Sequence, residues 1–148
     1  MTIRPVQDED YDVIAQLRHN TILNVNSKDY PDHIIQAWVD KFDMAKFKAE
    51  QCKRWVMIGD NDIIGFCSHE LSGELTRVYI HQDHLRRGIG SQLIAIAEAS
   101  MKDLGLRKAF LESTITARAF YENHGYQVTE QAIHPSDGAI IYKMIKAL

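Results

Sequence analysis

The sequence predicts a mixed α/β fold of the α+β kind, a mostly antiparallel sheet flanked by helices. Three observations carry this. Two early stretches keep helical spacing. The middle of the chain then switches to short apolar runs punctuated by turn residues. A long helical stripe follows, after which strands return. The 148 residues are 45% hydrophobic, enough for an ordinary core, and no linker or repeat divides them, so residues 1–148 read as a single domain.

Thr2–Pro5 reads as a first strand, and Asp8-Glu-Asp as the N-cap and acidic first turn of a helix running to about Leu23. Tyr11, Ile14, Leu17 and Arg18 keep its spacing. Asn24–Tyr30 is polar and loop-like. Pro31 suits a first helical turn, and Ile34, Ile35, Trp38, Val39 and Phe42 line one face of a second helix. Met44–Gln51 either continues that helix or forms a separate turn. Arg54–Ile58 and Ile63–Cys67 form a hairpin about Gly59-Asp-Asn-Asp62, and Glu74–Ile80 adds a third antiparallel strand after Ser72-Gly73. Gly88–Leu104 is a helix with Ile89, Leu93, Ala97, Met101 and Leu104 on one stripe, ended by Gly105. Lys108–Ser113 is a strand, Thr116–His124 a helix stopped by Gly125, and Tyr126–His134 and Ala139–Ile145 a final hairpin.

Composition excludes several classes. Charged residues make up 25% and the net charge is −3, which gives no basic footprint for nucleic acid. No apolar run approaches membrane-spanning length, and the start Met1-Thr-Ile-Arg-Pro has no signal-peptide pattern. Cys52 and Cys67 lack metal or redox spacing and read as reduced core residues, so a cytoplasmic protein is expected. Only His81 and His84 of the seven histidines lie close together. Two ligands do not make a zinc site, so no metal is expected.

The chemistry centres on Ile80-His-Gln-Asp-His-Leu-Arg-Arg-Gly-Ile-Gly-Ser-Gln-Leu93. A helix starting near Gly88 offers unpaired N–H groups and the positive end of its dipole, and Arg86 and Arg87 add charge beside it. The combination suits a phosphate or pyrophosphate; the plain alternative is a glycine turn with two solvated arginines. A Walker loop is absent. A dinucleotide fingerprint would need a small residue at Leu93, although Glu112 lies at the usual distance for a ribose-binding acid, and it would open a parallel sheet rather than follow three antiparallel strands.

Gly88-Ile-Gly90 before a long helix resembles the acyl-CoA-binding loop of the GNAT family of N-acetyltransferases. Ala117-Arg-Ala-Phe-Tyr121-Glu-Asn-His-Gly125-Tyr126 resembles that family's later Ala-x-x-x-Tyr-Glu-x-x-Gly-Phe/Tyr stretch. The opening Ile3-Arg-Pro-Val, the two early helices and the element order also match, so the resemblance covers essentially the full chain. There are two departures: Leu85 occupies the loop's usual Gln/Arg position, and Thr114 stands where many members carry Asn.

The resemblance implies a sheet with a central V-shaped splay between the strand ending at Ile80 and the strand Lys108–Ser113, with acetyl-CoA as cosubstrate lying in the V. It implies that the arm of the coenzyme adds to the open strand edge at Val78, Tyr79 and Ile80. The amides of Arg86, Arg87, Gly88, Ile89, Gly90 and Ser91 would hold the pyrophosphate, and the Thr114 hydroxyl would serve as a shorter hydrogen-bonding group. The Val78 N–H would polarise the thioester carbonyl. Positioning amine and thioester together supplies roughly 7–11 kcal/mol. A lysine-like amine with a pKa near ~10.4 costs on the order of 4–5 kcal/mol to deprotonate at pH 7, so a base is needed. Glu74 matches the base position of one branch of the family, with His69 and Glu70 as rivals; a solvated strand-start residue is the plain alternative. Tyr121 is the expected acid that protonates the departing thiolate, against a packing role that Phe120 already fills. Tyr126 is expected to pack, and His124 to sit near the helix end as a cap-region cation.

The family implies an acceptor site made from Leu23–Trp38 and Ala132–Ala139, where Asn24, Asn26, Tyr30, His33 and Trp38 are candidates, with Trp38 and Ile35 closer to core by their spacing. The expected partner is a small-molecule or peptide amine, and fold analogy suggests a homodimer. The competing readings are a coenzyme A-binding module without turnover and a nucleotide-binding regulatory domain.

Overall fold

The computed structural model describes residues 1–148. Strand β1 (Thr2–Pro5) pairs antiparallel with β2 (Cys52–Gly59), β2 with β3 (Asp62–Glu70), and β3 with β4 (Leu75–Ile80), giving a first sheet in the order β1-β2-β3-β4. A second sheet has the order β5-β7-β6, from β5 (Lys108–Thr114), β6 (Gln127–Ile133) and β7 (Ile140–Ala147). Helices α1 (Tyr11–Asn24), α2 (Asp32–Asp40) and α3 (Met44–Ala49) lie between β1 and β2. Helix α4 (Ile89–Asp103) links the two sheets, and α5 (Arg118–Asn123) follows β5.

Local chemistry explains most boundaries. The β2–β3 turn needs two left-handed residues, and Asp60 and Asn61 supply them at φ 52° and 68°. Asp43 caps α3 by accepting from the Lys46 N–H, which makes Met44–Ala49 a separate helix. The first helix is entered differently from expectation. Asp8–Asp10 is a 3₁₀ turn, and Asp10, not Asp8, is the working acid: it accepts from the Gln7 N–H at 2.7 Å and from both Arg4 nitrogens at 2.7 and 2.9 Å. Helix α5 is shorter than the expected Thr116–His124, because the Thr114 hydroxyl takes the Ala117 N–H at 3.1 Å and holds the preceding residues in a turn.

Two apolar layers cover the first sheet. On one face Leu93, Ile94, Ala97 and Met101 of α4 pack with Met57, Cys67 and Leu75, and the same cluster reaches Leu111 and Met144 of the second sheet and Tyr126 just before β6. On the other face Tyr11, Ile14 and Leu17 of α1 meet Phe47, Val56 and Phe66. Each such buried side chain contributes about 1.5–3 kcal/mol. Ile34 and Ile35 join a third cluster with Ile22, Tyr30 and Ala139, against which Trp38 and Val39 pack. Phe42 lies beyond the end of α2 and packs with the α1–α3 layer instead.

The two sheets touch at one point. Glu74 bridges Phe110 in parallel, and the Phe110 N–H donates to Gly73 C=O at 3.1 Å. A Cβ on Gly73 would stand 2.9 Å from the Lys108 carbonyl oxygen, so glycine allows this approach. Beyond that bridge β4 and β5 diverge, and the V opens between Ile80 and Thr114. A β-bulge in β4 lies just past the bridge, where the pairing skips Thr76 between Leu75 and Arg77.

Candidate active site

The V widens into a cleft of about 1080 Å³. Of the residues expected in the site, Glu74, Val78, Tyr79, Ile80, Arg86, Gly88, Ile89, Gly90, Ser91, Thr114 and Tyr121 line it; the Arg87 side of the loop does not.

The edge of β4 is arranged for an extended ligand. The His81 N–H donates to Ile64 C=O on β3 at 2.8 Å. Backbone groups alternate in direction along an antiparallel pair, so Val78 and Ile80 direct theirs away from β3, into the open V. Past Ile80 the chain makes a 3₁₀ turn, and Arg86 (φ 63°) and Gly88 (φ 77°) take left-handed conformations before α4. The first bond of α4 runs from the Gln92 N–H to Gly88 C=O, which leaves the N–H groups of Ile89, Gly90 and Ser91 without intrahelical acceptors. These donors lie at the mouth of the cleft, at the positive end of the α4 dipole. Gly90 serves packing as well: an added Cβ would stand 2.7 Å from the Phe120 ring and 2.9 Å from Ile80 Cδ1, so only glycine lets α4 meet α5 so closely.

His124 is the C-cap residue of α5, at the helix end as expected, and it also lines this mouth. Its Nδ1 is 2.8 Å from the Phe120 carbonyl and its Nε2 2.8 Å from Ser91 Oγ. The carbonyl accepts from Nδ1–H, so Nε2 accepts from the serine hydroxyl. The Thr114 hydroxyl is occupied by the Ala117 N–H, although Thr114 lines the cleft.

Tyr121 is 8% exposed, and its hydroxyl has no hydrogen-bond partner within the chain. Burial pushes this phenol well above its ordinary range, with Tyr79 and Cys67 adding to the effect, so it stays protonated. Glu74 sits at the closed end of the V. Burial raises its carboxyl above the usual range, and the neighbouring Glu70 and Glu112 raise it further. His69 is withdrawn from the cleft: it is fully buried, held by the Glu70 carbonyl at 2.8 Å and Ser100 Oγ at 2.9 Å, and stacked on Trp55. Its ring packs the sheet against α4.

The acceptor side is only partly as expected. Asn26 and Trp38 line the cleft, whereas Asn24, Tyr30 and His33 do not. Tyr30 is buried, with its hydroxyl donating to Ile140 C=O at 2.6 Å and accepting from the Ile115 N–H at 2.8 Å, which fastens the α1–α2 loop to one end of the second sheet, at β5 and β7. Trp38 donates its indole N–H to Asp137 at 2.7 Å and so ties α2 to the final hairpin. Arg18, Glu50 and Arg77 line the cleft and were not foreseen there. The available signal was Arg18 itself, an arginine in the apolar stripe of α1. Tyr126 packs as expected and donates to Glu98 at 2.9 Å. No group of three or more His, Cys, Asp or Glu is placed to hold a metal ion.

One cleft thus holds a helix N-terminus with free N–H groups, an open strand edge and a protonated phenol. Comparisons with known proteins identify the family. A family model described as an acetyltransferase (GNAT) domain matches residues 26–148. The chain is 25% identical over 131 residues to the uncharacterized N-acetyltransferase YafP of Escherichia coli (strain K12), covering 87% of this chain and 83% of that protein. Among solved structures, a GCN5-related N-acetyltransferase from Rhodopseudomonas palustris superposes with a TM-score of 0.90 at 23% identity, over 99% of this chain and 95% of that one. The PaiA N-acetyltransferase from Thermoplasma acidophilum, solved in complex with coenzyme A, gives 0.80 at 21% identity over 100% of both chains. The chain therefore belongs to the GNAT acetyltransferase family, and it is an acetyl-CoA-dependent acyltransferase.

Proposed function

We propose that residues 1–148 act as one N-acetyltransferase domain that moves an acetyl group from acetyl-CoA to a primary amine of a small molecule or peptide, by direct attack in a ternary complex. The observation that carries this is the coincidence, in one cleft, of the free amides of Ile89–Ser91, the open edge at Val78 and Ile80, and the unpartnered Tyr121 hydroxyl. The residues fit the coenzyme: the helix terminus takes the pyrophosphate, Arg86 adds charge, and the β4 edge pairs with the amide-bearing arm.

In this scheme Glu74 takes a proton from the incoming ammonium, directly or through water, and its raised carboxyl is better matched to that task than an ordinary one. The amine nitrogen bonds to the thioester carbonyl carbon while the Val78 N–H donates to the carbonyl oxygen. The carbon–sulfur bond breaks, the sulfur keeps the electron pair, Tyr121 supplies its proton, and the proton remaining on the acylated nitrogen restores the Tyr121 phenol. The products are an N-acetylated amine and free coenzyme A.

Glu70 remains a rival base on the same wall of the cleft. The two unpaired thiols, Cys52 and buried Cys67, suit a reducing compartment, so we place the protein in the cytoplasm. A homodimer is the assembly the family resemblance implies, and sedimentation checks it directly. The test of function is thiol release across a broad amine panel. Turnover is expected with at least one amine and should fall in Tyr121→Phe. Coenzyme A binding with no turnover on any amine would instead favour the non-catalytic module.

A further inference from the structure

The acceptor half of the cleft is ordered by charge. At the closed end stand Glu70, Glu74 and Glu112. Toward the helices stand Arg18 of α1, Lys41 at the end of α2 and Arg77 of β4. Arg77 already has an answering charge, since Glu50 meets both its terminal nitrogens at 2.5 and 3.0 Å. Arg18 has none. Its Nη2 donates to the Trp38 carbonyl at 2.8 Å and its plane lies 5.0 Å over the Phe42 ring, yet Nη1 is buried without any partner. No carboxylate pairs with it; the groups beside it are the Tyr79 hydroxyl and a second cation, Arg77.

A half-buried guanidinium with one buried, idle nitrogen is costly, because its desolvation is not repaid by a counter-ion. A simple tether between α1 and α2 needs the Trp38 bond and the Phe42 contact, both of which leave Nη1 unused. The planar fork is suited to a two-oxygen anion.

Resting on the acetyltransferase reading above, we propose that the acceptor is an amine that also carries a carboxylate or a phosphate, with its anionic group seated on Arg18 beside Tyr79 and its ammonium turned toward Glu74. Arg18 is then a specificity residue: it selects acceptors and takes no part in the proton transfers. Glu50 keeps Arg77 from competing for the same anion, so selection falls on a single guanidinium.

The test compares matched pairs of amines with and without the anion. One arm sets L-amino acids against their carboxamides; the other sets phosphoethanolamine against ethanolamine. The expected result is a preference for the anionic member of at least one pair, on the order of 10- to 100-fold in kcat/KM and expressed mainly in KM. Arg18→Gln should collapse that ratio toward one. If Arg18→Gln does not fold, Arg18→Lys keeps the charge but loses the fork, and should reduce the ratio through KM. Whichever arm shows the preference identifies the anion. Equal kcat/KM within every pair, or a preference that survives unchanged in the Arg18 variants, overturns the proposal while leaving acetyl transfer standing. Failure of the wild-type protein to bind acetyl-CoA in the same preparations would instead sink the underlying reading.

Discussion

At the scale of single residues, the site rests on groups kept in unusual protonation or bonding states. The Tyr121 hydroxyl has no protein partner to lose, so Tyr121→Phe should leave stability within about 1 kcal/mol of wild type. If it is the acid, the same change lowers kcat by roughly 10²- to 10⁴-fold with little effect on acetyl-CoA affinity, read by steady-state kinetics and calorimetry. Glu74 makes a prediction of opposite character. Its carboxyl is raised by burial and then by Glu70 and Glu112, so the folded state holds that proton more tightly than the unfolded chain does. Stability from this group is present at low pH and is lost as pH rises through the raised value. Glu74→Gln should therefore melt above wild type at pH 8, and the difference should vanish near pH 4. The acidic limb of kcat/KM should lie above the ordinary carboxylate range, and Glu112→Gln should move it downward.

Among the elements, α4 and the β4–β5 splay set the geometry. Gly90→Ala places a methyl 2.7 Å from the Phe120 ring, in the helix that carries Tyr121. Overpacking of this kind costs about 1–3 kcal/mol. It should also weaken acetyl-CoA binding, since the disturbed turn bears the amides proposed to hold the pyrophosphate; an unchanged dissociation constant would show that those amides are not used. Much of this architecture was legible because its signals are local. The Asp60-Asn61 turn, the α4 stripe and the Gly105 and Gly125 stops each follow from one or two residues. The bulge at Thr76 was not legible, because it arises from pairing β4 with β3 while the bridge from Glu74 to Phe110 fixes its far side. The length of α5 was misjudged for a local reason, the Thr114 hydroxyl taking a backbone N–H that the helix pattern assumed free.

Over the whole molecule, the cleft is assembled from residues far apart in sequence. The glycine loop announced itself through Arg86, Gly88 and Gly90, and Tyr121 through its neighbours. Nothing in the chain order told that Arg18 of α1 would face Arg77 and Tyr79 of β4, or that Tyr30 would be used up fastening Ile115 and Ile140. His69 looked available in sequence and is sealed by packing that only the fold supplies. No helix is long and apolar enough to cross a membrane. A ligand bound at ~100 times its dissociation constant stabilises a fold by roughly 2.7 kcal/mol, so the assembled cleft should report its cosubstrate as a rise in melting temperature of several degrees.

The most direct measurement is a calorimetric titration of the purified protein with acetyl-CoA, coenzyme A, NAD and ATP. The cleft predicts one saturable site per chain that takes acetyl-CoA and coenzyme A in clear preference to NAD and ATP. No heat with either coenzyme A species, or tighter binding of NAD or ATP, would contradict the assignment of the α4 terminus to the coenzyme.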